Sequence, residues 1–442
     1  MQNENPYKKQ LLTKIKNKTA TLGVIGLGYV GLPLAVEKAK AGYKTIGFDV
    51  QEKKVRWVSE GRNYIGDIIG SDLKDVVDKG LLKATIDISF VKDIDTVCIC
   101  VPTPLDIHQQ PDLSYVKNST EDIAKYLHPG MLVVLESTTY PGTTEELVKP
   151  ILEKESGLKC GQDFFLAFSP ERIDPGNPWY KMRNTPKVVG GVTPDCTEVA
   201  SYLYRNIIQG KVHPVSSPKV AEMEKIYENV FRYTNIALAN EMSILCHKMN
   251  IDFWEVIEAA KTKPYGFMPF YPGPGVGGHC IPLDPFYLTW KAREYNYHTR
   301  LIELAGEINR YMPEYVVERI AKILSKKFKK SLNGAKILLL GVAYKKNIDD
   351  LRESPALEII KKLEEEGAIV SYYDPYILEF SNNRKEYKSL KELNAEVLKE
   401  KDIVIIATDH SIINYKLVVK NALTVFDTRN AITENSENVE KL

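Results

Sequence analysis

The chain has 442 residues, enough for two or three domains that each bury a core. Its 59 Lys and Arg nearly balance its 58 Asp and Glu, so its net charge gives no reason to expect binding to nucleic acid or to anionic membranes. It has no apolar run long enough to span a membrane, residues 1–18 are polar rather than like a secretory signal, and six scattered cysteines fit neither a zinc site nor a disulfide framework. We therefore expect a soluble, cytoplasmic protein that binds neither nucleic acid nor membrane and holds no metal.

A glycine-rich turn near the N-terminus has the form GxGxxG, with its glycines at Gly26, Gly28 and Gly31. It lies among elements predicted in the order strand, helix, strand, at residues 22–25, 34–40 and 44–48. Gly26 would permit the tight turn, Gly28 the approach of a pyrophosphate, and Gly31 close packing of helix on strand. The helix amides would receive the phosphates, and Asp49, which ends the second strand, would accept both ribose hydroxyls. This pattern predicts a dinucleotide site that favours NAD over NADP.

Further apolar runs predict buried strands of the same sheet, at residues 95–101, 131–135 and 164–168. Each run ends in a polar loop, and these loops are residues 102–104, 136–141 and 169–176. In an open parallel sheet, ligands bind beyond the carboxyl ends of the strands. The topology therefore turns all of these loops toward a site.

Residues 217–250 predict one long helix without Pro or Gly in its interior. Its apolar side chains fall near a 3.6-residue stripe, and they are Val220, Met223, Tyr227, Val230, Phe231, Leu238 and Leu245. Lys225 and Asn229 are one turn apart and lie off this stripe, so that they can face a cleft, although a solvated face is the ordinary alternative. Such a helix suits a connector between domains and a subunit interface.

The most informative segment is PGPGVGGHCIPLD, residues 272–284, in which Cys280 follows a glycine-rich loop and Asp284 lies four residues later. Glycines let a backbone approach a ligand closely and adopt positive φ. A thiol presented there with a carboxylate nearby is suited to attack on an electrophile. The alternative is a tight turn with a buried structural cysteine.

A second α/β unit is predicted to begin near Gly334. Its predicted strands are residues 336–340, 369–373, 402–407 and 424–426, and its predicted helix is residues 355–366. The strand that ends on Asp374 repeats the order of the first unit, but the full GxGxxG is missing. Either a second nucleotide binds here in a different way, or the repeat is only structural. The last dozen residues are expected to be frayed.

In this order the motifs resemble the UDP-glucose/GDP-mannose dehydrogenase family of nucleotide-sugar 6-dehydrogenases, over about residues 21–430. They are GLGYVGLP at 26–33, SPER at 169–172, GGHC at 277–280 with Asp284, and YKK at 344–346 with RES at 352–354. The resemblance implies an α/β fold of two Rossmann-like parallel-sheet domains joined by a long central helix and a helical dimerisation region. The implied domains are an NAD-binding domain at 1–215, a central domain with the cysteine loop at 216–330, and a UDP-sugar-binding domain at 331–442. It also implies a homodimer or a higher homo-oligomer.

Members of this family oxidise a primary alcohol to a carboxylate, so that two NAD are reduced for each sugar. The resemblance gives catalytic roles to Cys280 as the covalent thiol, Lys225 as the stabiliser of negative charge, Asn229 as a holder of sugar or water, Asp284 as a water-orienting group or base, Glu171 as an aid to thioester hydrolysis and Thr139 as a positioner of water. The implied cofactor contacts are Gly26, Gly28, Tyr29, Val30, Gly31, Asp49, Lys54, Pro102, Thr103, Thr139 and Arg352. The implied substrate contacts are Glu171, Arg172, Lys225, Asn229, Phe270, Tyr271, Gly277, Lys345 and Arg429.

The chain departs from family patterns at three places: the first and third are differences from the UDP-glucose branch, and the second concerns an arginine that many family members supply across the subunit interface. Pro175 replaces a second glutamate, residues 263–272 lack an arginine for which Lys263 is a possible substitute, and the run HCIP at 279–282 is closer to the branch acting on UDP-N-acetylhexosamines. We expect UDP-N-acetylglucosamine as the substrate, with UDP-glucose and UDP-N-acetylmannosamine as alternatives. A two-electron dehydrogenase would leave Cys280 without a task, and a catalytically silent nucleotide sensor would have no need of Lys225 and Asp284. The uronic acid product suits surface polysaccharide biosynthesis.

Overall fold

The computed structural model describes residues 5–66, 68, 70–106, 110–174, 176–382 and 385–442, so the departure at Pro175 lies outside the described residues. The chain forms two compact units, of which the first contains Met1–Glu228 and Trp290–Tyr297 and the second contains Asn229–Thr289 and His298–Leu442. Among the helices of the described residues, none combines the length and the apolar character needed to cross a membrane.

The first unit is built on a single sheet. Its strands are β1 (Thr21–Ile25), β2 (Lys44–Phe48), β3 (Leu82–Thr85), β4 (Thr96–Ile99), β5 (Leu132–Leu135), β6 (Phe165–Phe168), β7 (Lys187–Gly191) and β8 (Val212–Val215). They are ordered β3-β2-β1-β4-β5-β6-β7-β8, and every neighbouring pair is parallel except β6 with β7. The strand order reverses between β1 and β4, which is where doubly wound sheets bind nucleotides.

Helices cover both faces of this sheet. They are α1 (Pro6–Lys16), α2 (Gly31–Lys40), α3 (Glu52–Ser59), α4 (Gly70–Asp78), α5 (Ser114–Ala124), α6 (Lys149–Ser156) and α7 (Pro194–Arg205), with short 3₁₀ and π turns at Ile88–Asp93 and Thr144–Val148. Because successive side chains of a strand point to opposite faces, Leu132 and Val134 join a core with α2 and α7, while Val133 and Leu135 join another with α5 and α6. Burial on both faces explains the continuous apolar runs from which the strands were predicted.

The remaining helices are α8 (Pro218–Lys248), α9 (Phe253–Ala260), α10 (Asp284–Ala292), α11 (Arg300–Phe328), α12 (Pro355–Glu365), α13 (Ala395–Lys399) and α14 (Tyr415–Asn421), with a 3₁₀ turn at Arg293–Tyr295. The strands of the second unit are β9 (Lys336–Leu340), β10 (Ile369–Tyr373), β11 (Glu379–Asn382), β12 (Lys385–Lys388), β13 (Ile403–Ile406), β14 (Val425–Asp427) and β15 (Val439–Lys441). Five of them form a parallel sheet in the order β10-β9-β13-β14-β15, while β11 and β12 pair antiparallel. Alternate residues of β9 pack against α11 and α12 on one face and against α13 and α14 on the other.

This architecture confirms the predicted fold class: the chain has two parallel-sheet α/β units, and the long helix α8 lies between the two sheets in sequence. Some predicted details were wrong. Helix α2 begins at Gly31 rather than at residue 34, and the predicted frayed C-terminal segment contains β15, which pairs with β14. The helix α11 was missed because it runs through Pro313, a residue that normally ends a helix.

The glycines of the turn between β1 and α2 offer a matched pair of substitutions. A Cβ added at Gly31 would lie 1.7 Å from the backbone oxygen of Gly26, whereas a Cβ added at Gly28 would meet nothing within 4 Å. We expect Gly31→Ala to lower the free energy of unfolding by about 1–3 kcal/mol or more. We expect Gly28→Ala to change it by less than about 0.5 kcal/mol. Urea unfolding measures both, and equal stability of the two variants would contradict the packing described here.

Candidate active site

The turn that links β1 to α2 presents backbone amides at the end of the sheet. Gly26 has φ +89°, which a side chain would disfavour, and α2 begins directly afterwards. Its N-cap is Val30, whose apolar side chain cannot accept hydrogen bonds from the first helix amides. Together with the open space over Gly28, these amides fit the phosphates of a dinucleotide.

Asp49 follows β2 and ties the glycine-rich turn to the strand end. Its Oδ2 accepts a hydrogen bond from the amide of Leu27 at 2.9 Å, and its Oδ1 accepts one from the amide of Gln51 at 2.9 Å. Lys54 Nζ lies 3.3 Å from the same Oδ2. A carboxylate has about four acceptor positions, so Asp49 retains capacity for a ribose hydroxyl. Lys54, a predicted cofactor contact, forms an ion pair with Asp49.

The loops after β4 and β5 are joined to each other. Thr103 Oγ1 donates to the carbonyl of Thr138 at 2.8 Å, and Ser137 Oγ donates to the carbonyl of Val101 at 2.8 Å. Next to them, Thr139 is fully buried, and within the described residues its Oγ1 has no hydrogen-bond partner. An orphaned buried hydroxyl needs a partner, and a bound cofactor or water would supply it. Pro102, in contrast, is exposed.

Buried Glu222, on α8, fixes the end of the second of these loops. Its Oε2 accepts from the amide of Gly142 at 2.5 Å, and its Oε1 accepts from the amide and the hydroxyl of Thr144 at 2.9 and 2.7 Å. Burial raises the pKa of this carboxyl. Sequence reasoning missed Glu222, because one glutamate on a helix resembles any solvated residue.

Glu171 and Arg172 lie in the loop after β6. Glu171 Oε1 accepts from the amides of Arg172 and Ile173 at 2.7 and 2.8 Å. The guanidinium of Arg172 pairs with Glu228 and lies 3.4 Å from Glu224, both on α8. Burial and the nearby Glu228 raise the pKa of Glu224 to about 7, while Arg172 lowers that of Glu228. Arg172 is thus already engaged by two carboxyl groups inside the first unit.

Lys225 and Asn229 are buried on α8, at 8% and 5% exposure, so the solvated face that was their alternative is wrong. Asn229 donates through Nδ2 to Asp284 Oδ2 at 2.5 Å. Asp284 is itself buried and begins α10, and its amide donates to the carbonyl of Cys280 at 2.8 Å. The structure therefore brings Asn229, Asp284 and Cys280 into one connected group.

The glycine-rich loop before Cys280 is held by close backbone packing. A Cβ at Gly277 would meet the carbonyl oxygen of Glu353 and the Cβ of Tyr344 at 2.7 Å, so only glycine fits. Gly278 has φ +98°, and its amide donates to the carbonyl of Arg352 at 3.0 Å. The loop thus lies against residues 344 and 352–353, and the part-buried Cys280 is presented at its end.

Asp350 connects the predicted cofactor residue Arg352 with the cysteine loop. Arg352 Nε and an amino group donate to Asp350 at 2.9 and 2.6 Å, and His279 Nε2 lies 3.6 Å from Asp350. Burial raises the pKa of Asp350 to about 6. Because the Arg352 guanidinium contacts it directly, we assign the ionised form to this carboxyl.

The predicted substrate residues of the C-terminal sheet lie beyond its strand ends. Lys345 belongs to the loop after β9, and Arg429 follows β14 and donates through Nε to the carbonyl of Ala407 at 2.8 Å. The guanidinium of Arg429 lies against Gly273. These positions fit the rule that ligands bind at the carboxyl ends of parallel strands.

Aromatic rings hold the segment before the cysteine loop. Phe270 packs edge-on against Phe231 with centroids 5.6 Å apart, while Tyr271 stacks on Trp254 at 6.0 Å and remains exposed. Lys263, the possible substitute for the missing arginine, is exposed and lies over the ring of Tyr265.

Three domain profiles of one family match the chain: the NAD-binding domain of the UDP-glucose/GDP-mannose dehydrogenase family at residues 20–208, its central domain at 219–311 and its UDP-binding domain at 338–434. The UDP-N-acetyl-D-glucosamine 6-dehydrogenase of Pseudomonas aeruginosa is 41% identical over 81% of this chain and 84% of that protein. The UDP-N-acetyl-D-mannosamine dehydrogenase of Pyrococcus horikoshii is 36% identical over 93% of this chain and 96% of that protein.

A solved structure agrees with these sequence matches. The UDP-D-ManNAc dehydrogenase from Pyrococcus horikoshii superposes with a TM-score of 0.87 at 34% identity, covering 95% of this chain and 98% of that one. The glycine-rich turn, the cysteine loop and the C-terminal sheet fall inside the matched domains. The chain is therefore a member of the UDP-glucose/GDP-mannose dehydrogenase family, an NAD-dependent nucleotide-sugar dehydrogenase with the NAD-binding, central and UDP-binding domains of that family.

Proposed function

We propose that the chain oxidises the C6 alcohol of UDP-N-acetylglucosamine to the carboxylate of UDP-N-acetylglucosaminuronate. The observation that carries this proposal is the loop that ends in Cys280, with Asp284 one turn later, buried and hydrogen-bonded to Asn229. A thiol is needed where an aldehyde must be held for a second oxidation. A simple two-electron dehydrogenase would give this arrangement no task.

The proposed reaction balances as RCH₂OH + 2 NAD⁺ + H₂O giving RCOO⁻ + 2 NADH + 3 H⁺, where NAD supplies the hydride acceptor for both oxidations. Between the oxidations, the Cys280 sulfur adds to the aldehyde carbon to form a thiohemiacetal. Loss of the second hydride leaves a thioester on Cys280. Water then attacks the thioester carbon, the C–S bond breaks, and the thiol is regenerated with the carboxylate.

The side chains proposed to assist these steps have suitable chemistry. Lys225 is a buried lysine, and a cation of this kind would stabilise negative charge that develops on a reacting oxygen. Asp284 is oriented by Asn229 and would receive a proton or hold a water, and Glu171 would assist attack of water on the thioester. Thr139 would offer its buried hydroxyl to that water or to the cofactor.

The proposed NAD contacts lie in the first unit, except for Arg352. The amides after Gly26 would hold the pyrophosphate, and Asp49 would accept the ribose hydroxyls. Pro102 and Thr103 would line the nicotinamide side. The substrate's phosphates and sugar would contact Lys345 and Arg429, with Phe270 and Tyr271 on the uridine side.

The choice of sugar rests on the run HCIP at residues 279–282 and on the Pseudomonas aeruginosa relative, whose name specifies UDP-N-acetyl-D-glucosamine. Other relatives are named for UDP-N-acetyl-D-mannosamine, so that sugar is the second candidate, and UDP-glucose is the third. The product is a nucleotide-linked uronic acid, which suits surface polysaccharide assembly. Thiols at all six cysteines fit a reducing cytoplasm.

The first experiment counts NADH per mole of sugar, with each of the three UDP-sugars limiting in turn. We expect two NADH from UDP-N-acetylglucosamine, because the alcohol must lose four electrons to become the acid. Absorbance at the NADH band measures this directly. One NADH per sugar would reduce the reaction to a two-electron oxidation, and none with any sugar would favour a nucleotide sensor.

The covalent step is tested by Cys280→Ser. We expect steady-state turnover to fall by at least about 10²–10⁴-fold, while binding of UDP-N-acetylglucosamine changes little, since the serine oxygen is a far poorer nucleophile than a thiolate. Cys160→Ser is the control, because Cys160 is also part-buried but lies outside the proposed site. Normal turnover by Cys280→Ser would end the thioester scheme.

We also propose that the chain forms a homodimer through α8. Phe231, Leu238 and Leu245 recur every seven residues, about two helical turns, and are 40%, 56% and 45% exposed. An apolar stripe that a single chain leaves in water marks an interaction surface. A second copy matches it, because an isologous interface pairs the same patch from both subunits.

This proposal predicts a mass in solution of twice that of the chain for the wild type. The double variant Leu238→Asp/Leu245→Asp should sediment as a monomer, since it would bring four unpaired carboxylates into the dimer interface. Leu423→Asp, at an exposed leucine outside the stripe, is the matched control and should leave the mass unchanged. A monomeric wild type, or a dimeric double variant, would refute the α8 interface.

A further inference from the structure

We propose that Lys187 is a positioning residue that fixes the carboxylate of Glu171 through a buried network with Glu136 and Tyr204. The proposal rests on the function given above, in which Glu171 assists hydrolysis of the thioester. All members of the network belong to the first unit. None of Lys187, Glu136 and Tyr204 was singled out by the sequence motifs.

Lys187 begins β7, and its side chain is only 6% exposed. Its Nζ lies 2.7 Å from Glu136 Oε2, 3.2 Å from the carbonyl oxygen of Pro170 and 3.5 Å from Glu171 Oε2. An ammonium has three donors, and here there are three acceptors. Two of these acceptors belong to adjacent residues of the loop after β6, so Lys187 holds both the backbone and the side chain of that loop.

Glu136 keeps Lys187 in place from the opposite side. It follows β5, its side chain is fully enclosed, and its Oε1 accepts from the hydroxyl of Tyr204 while its Oε2 accepts from Lys187. Behind Tyr204, Cys98 Sγ lies 3.7 Å from the tyrosine hydroxyl and accepts from Lys38 Nζ at 3.0 Å. The network therefore extends from α2 to the loop of Glu171 and carries two ammonium and two carboxylate groups.

Glu171 has a fixed orientation because each of its oxygens has a different anchor. Oε1 accepts from two backbone amides of its own loop, and Oε2 faces Lys187. Burial lowers the pKa of Lys187, but Glu136 and Glu171 more than offset it, so the pKa is raised and the ammonium stays charged. A permanent ammonium therefore lies next to Glu171 Oε2 and attracts that oxygen by its charge.

Other charged groups around Glu171 belong to a separate cluster. Arg172, its neighbour in sequence, is held by Glu224 and Glu228 of α8, and Lys225 follows Glu224 on that helix. Since Arg172 is engaged there, Lys187 is the cation that the described residues place on Glu171 Oε2.

The test compares kcat and KM of Lys187→Met, Glu171→Gln and their double variant, with UDP-N-acetylglucosamine and NAD as substrates. We expect Lys187→Met to lower kcat by about 10–100-fold with KM little changed, because the carboxylate loses its orientation. On the Glu171→Gln background, Lys187→Met should add no further loss.

Two further variants keep the test decisive. Lys187→Met leaves Glu136 buried without a counter-charge and can impair folding. The variant Glu136→Gln/Lys187→Met removes both charges and should show the same fall of kcat with KM little changed. Lys187→Arg should restore much of kcat. An unchanged kcat in both methionine variants, or losses that multiply on the Glu171→Gln background, would overturn the proposal.

A crystal structure of the Glu136→Gln/Lys187→Met variant gives a readout that does not depend on activity. We expect the Glu171 carboxylate to leave its wild-type orientation. A wild type that forms no NADH would refute the proposed function alone, and the position of Glu171 would still decide the role of Lys187. A carboxylate that stays in place would refute that role even if two NADH were formed.

Discussion

A carboxylate removed from water must receive hydrogen bonds or a counter-charge, and this requirement organises the strand ends of both sheets. Asp49 after β2, Glu136 after β5, Asp374 after β10 and Asp427 at the end of β14 each collect donors from neighbouring loops. The positions of these carboxylates therefore determine the positions of the loops that donate hydrogen bonds to them. The proposed ligand-binding residues sit on those loops, so their positions depend on these buried carboxylates, of which Asp49 is itself proposed to contact a ligand.

The two units use this device differently. Asp374 is fully enclosed, because its oxygens accept from the amides of residues 342, 343, 376 and 377 and from His410 Nε2. The other ring nitrogen of His410 accepts from the amide of Asn347, which fixes the tautomer. Asp49 has fewer partners and keeps acceptor capacity. Asp49 therefore has acceptor capacity left for a ribose hydroxyl, whereas the acceptor positions of Asp374 are filled, so the two strand-end carboxylates are not equivalent.

Much of the fold could be predicted because buried parallel strands are continuous apolar runs, and because the glycine-rich turn and the cysteine loop have local signatures. Long-range features had no such signature. Lys187, at the first position of a strand, resembles a solvated lysine until the fold brings Glu136 and Glu171 to it. Helix α11 was not predicted because it contains Pro313. The apolar stripe on α8 could be recognised from its period, but the solvent exposure of its side chains could not be predicted. The pairing of Asn229 with Asp284 joins residues that no spacing rule connects.

The buried pair of Lys187 and Glu136 also restricts how relatives of this chain can diverge. Losing Lys187 alone leaves Glu136 buried without a counter-charge, and losing Glu136 alone leaves Lys187 with only the more distant Glu171, 3.5 Å away. Losing both charges together avoids a buried unpaired charge at this pair. A single substitution at position 136 or 187 is therefore disfavoured, and substitutions at the two positions should be correlated among relatives. Tyr204 is under a weaker restriction, since a phenylalanine there removes one donor from Glu136 but no charge. Substitutions at positions 136 and 187 should therefore be more strongly correlated with each other than with substitutions at position 204.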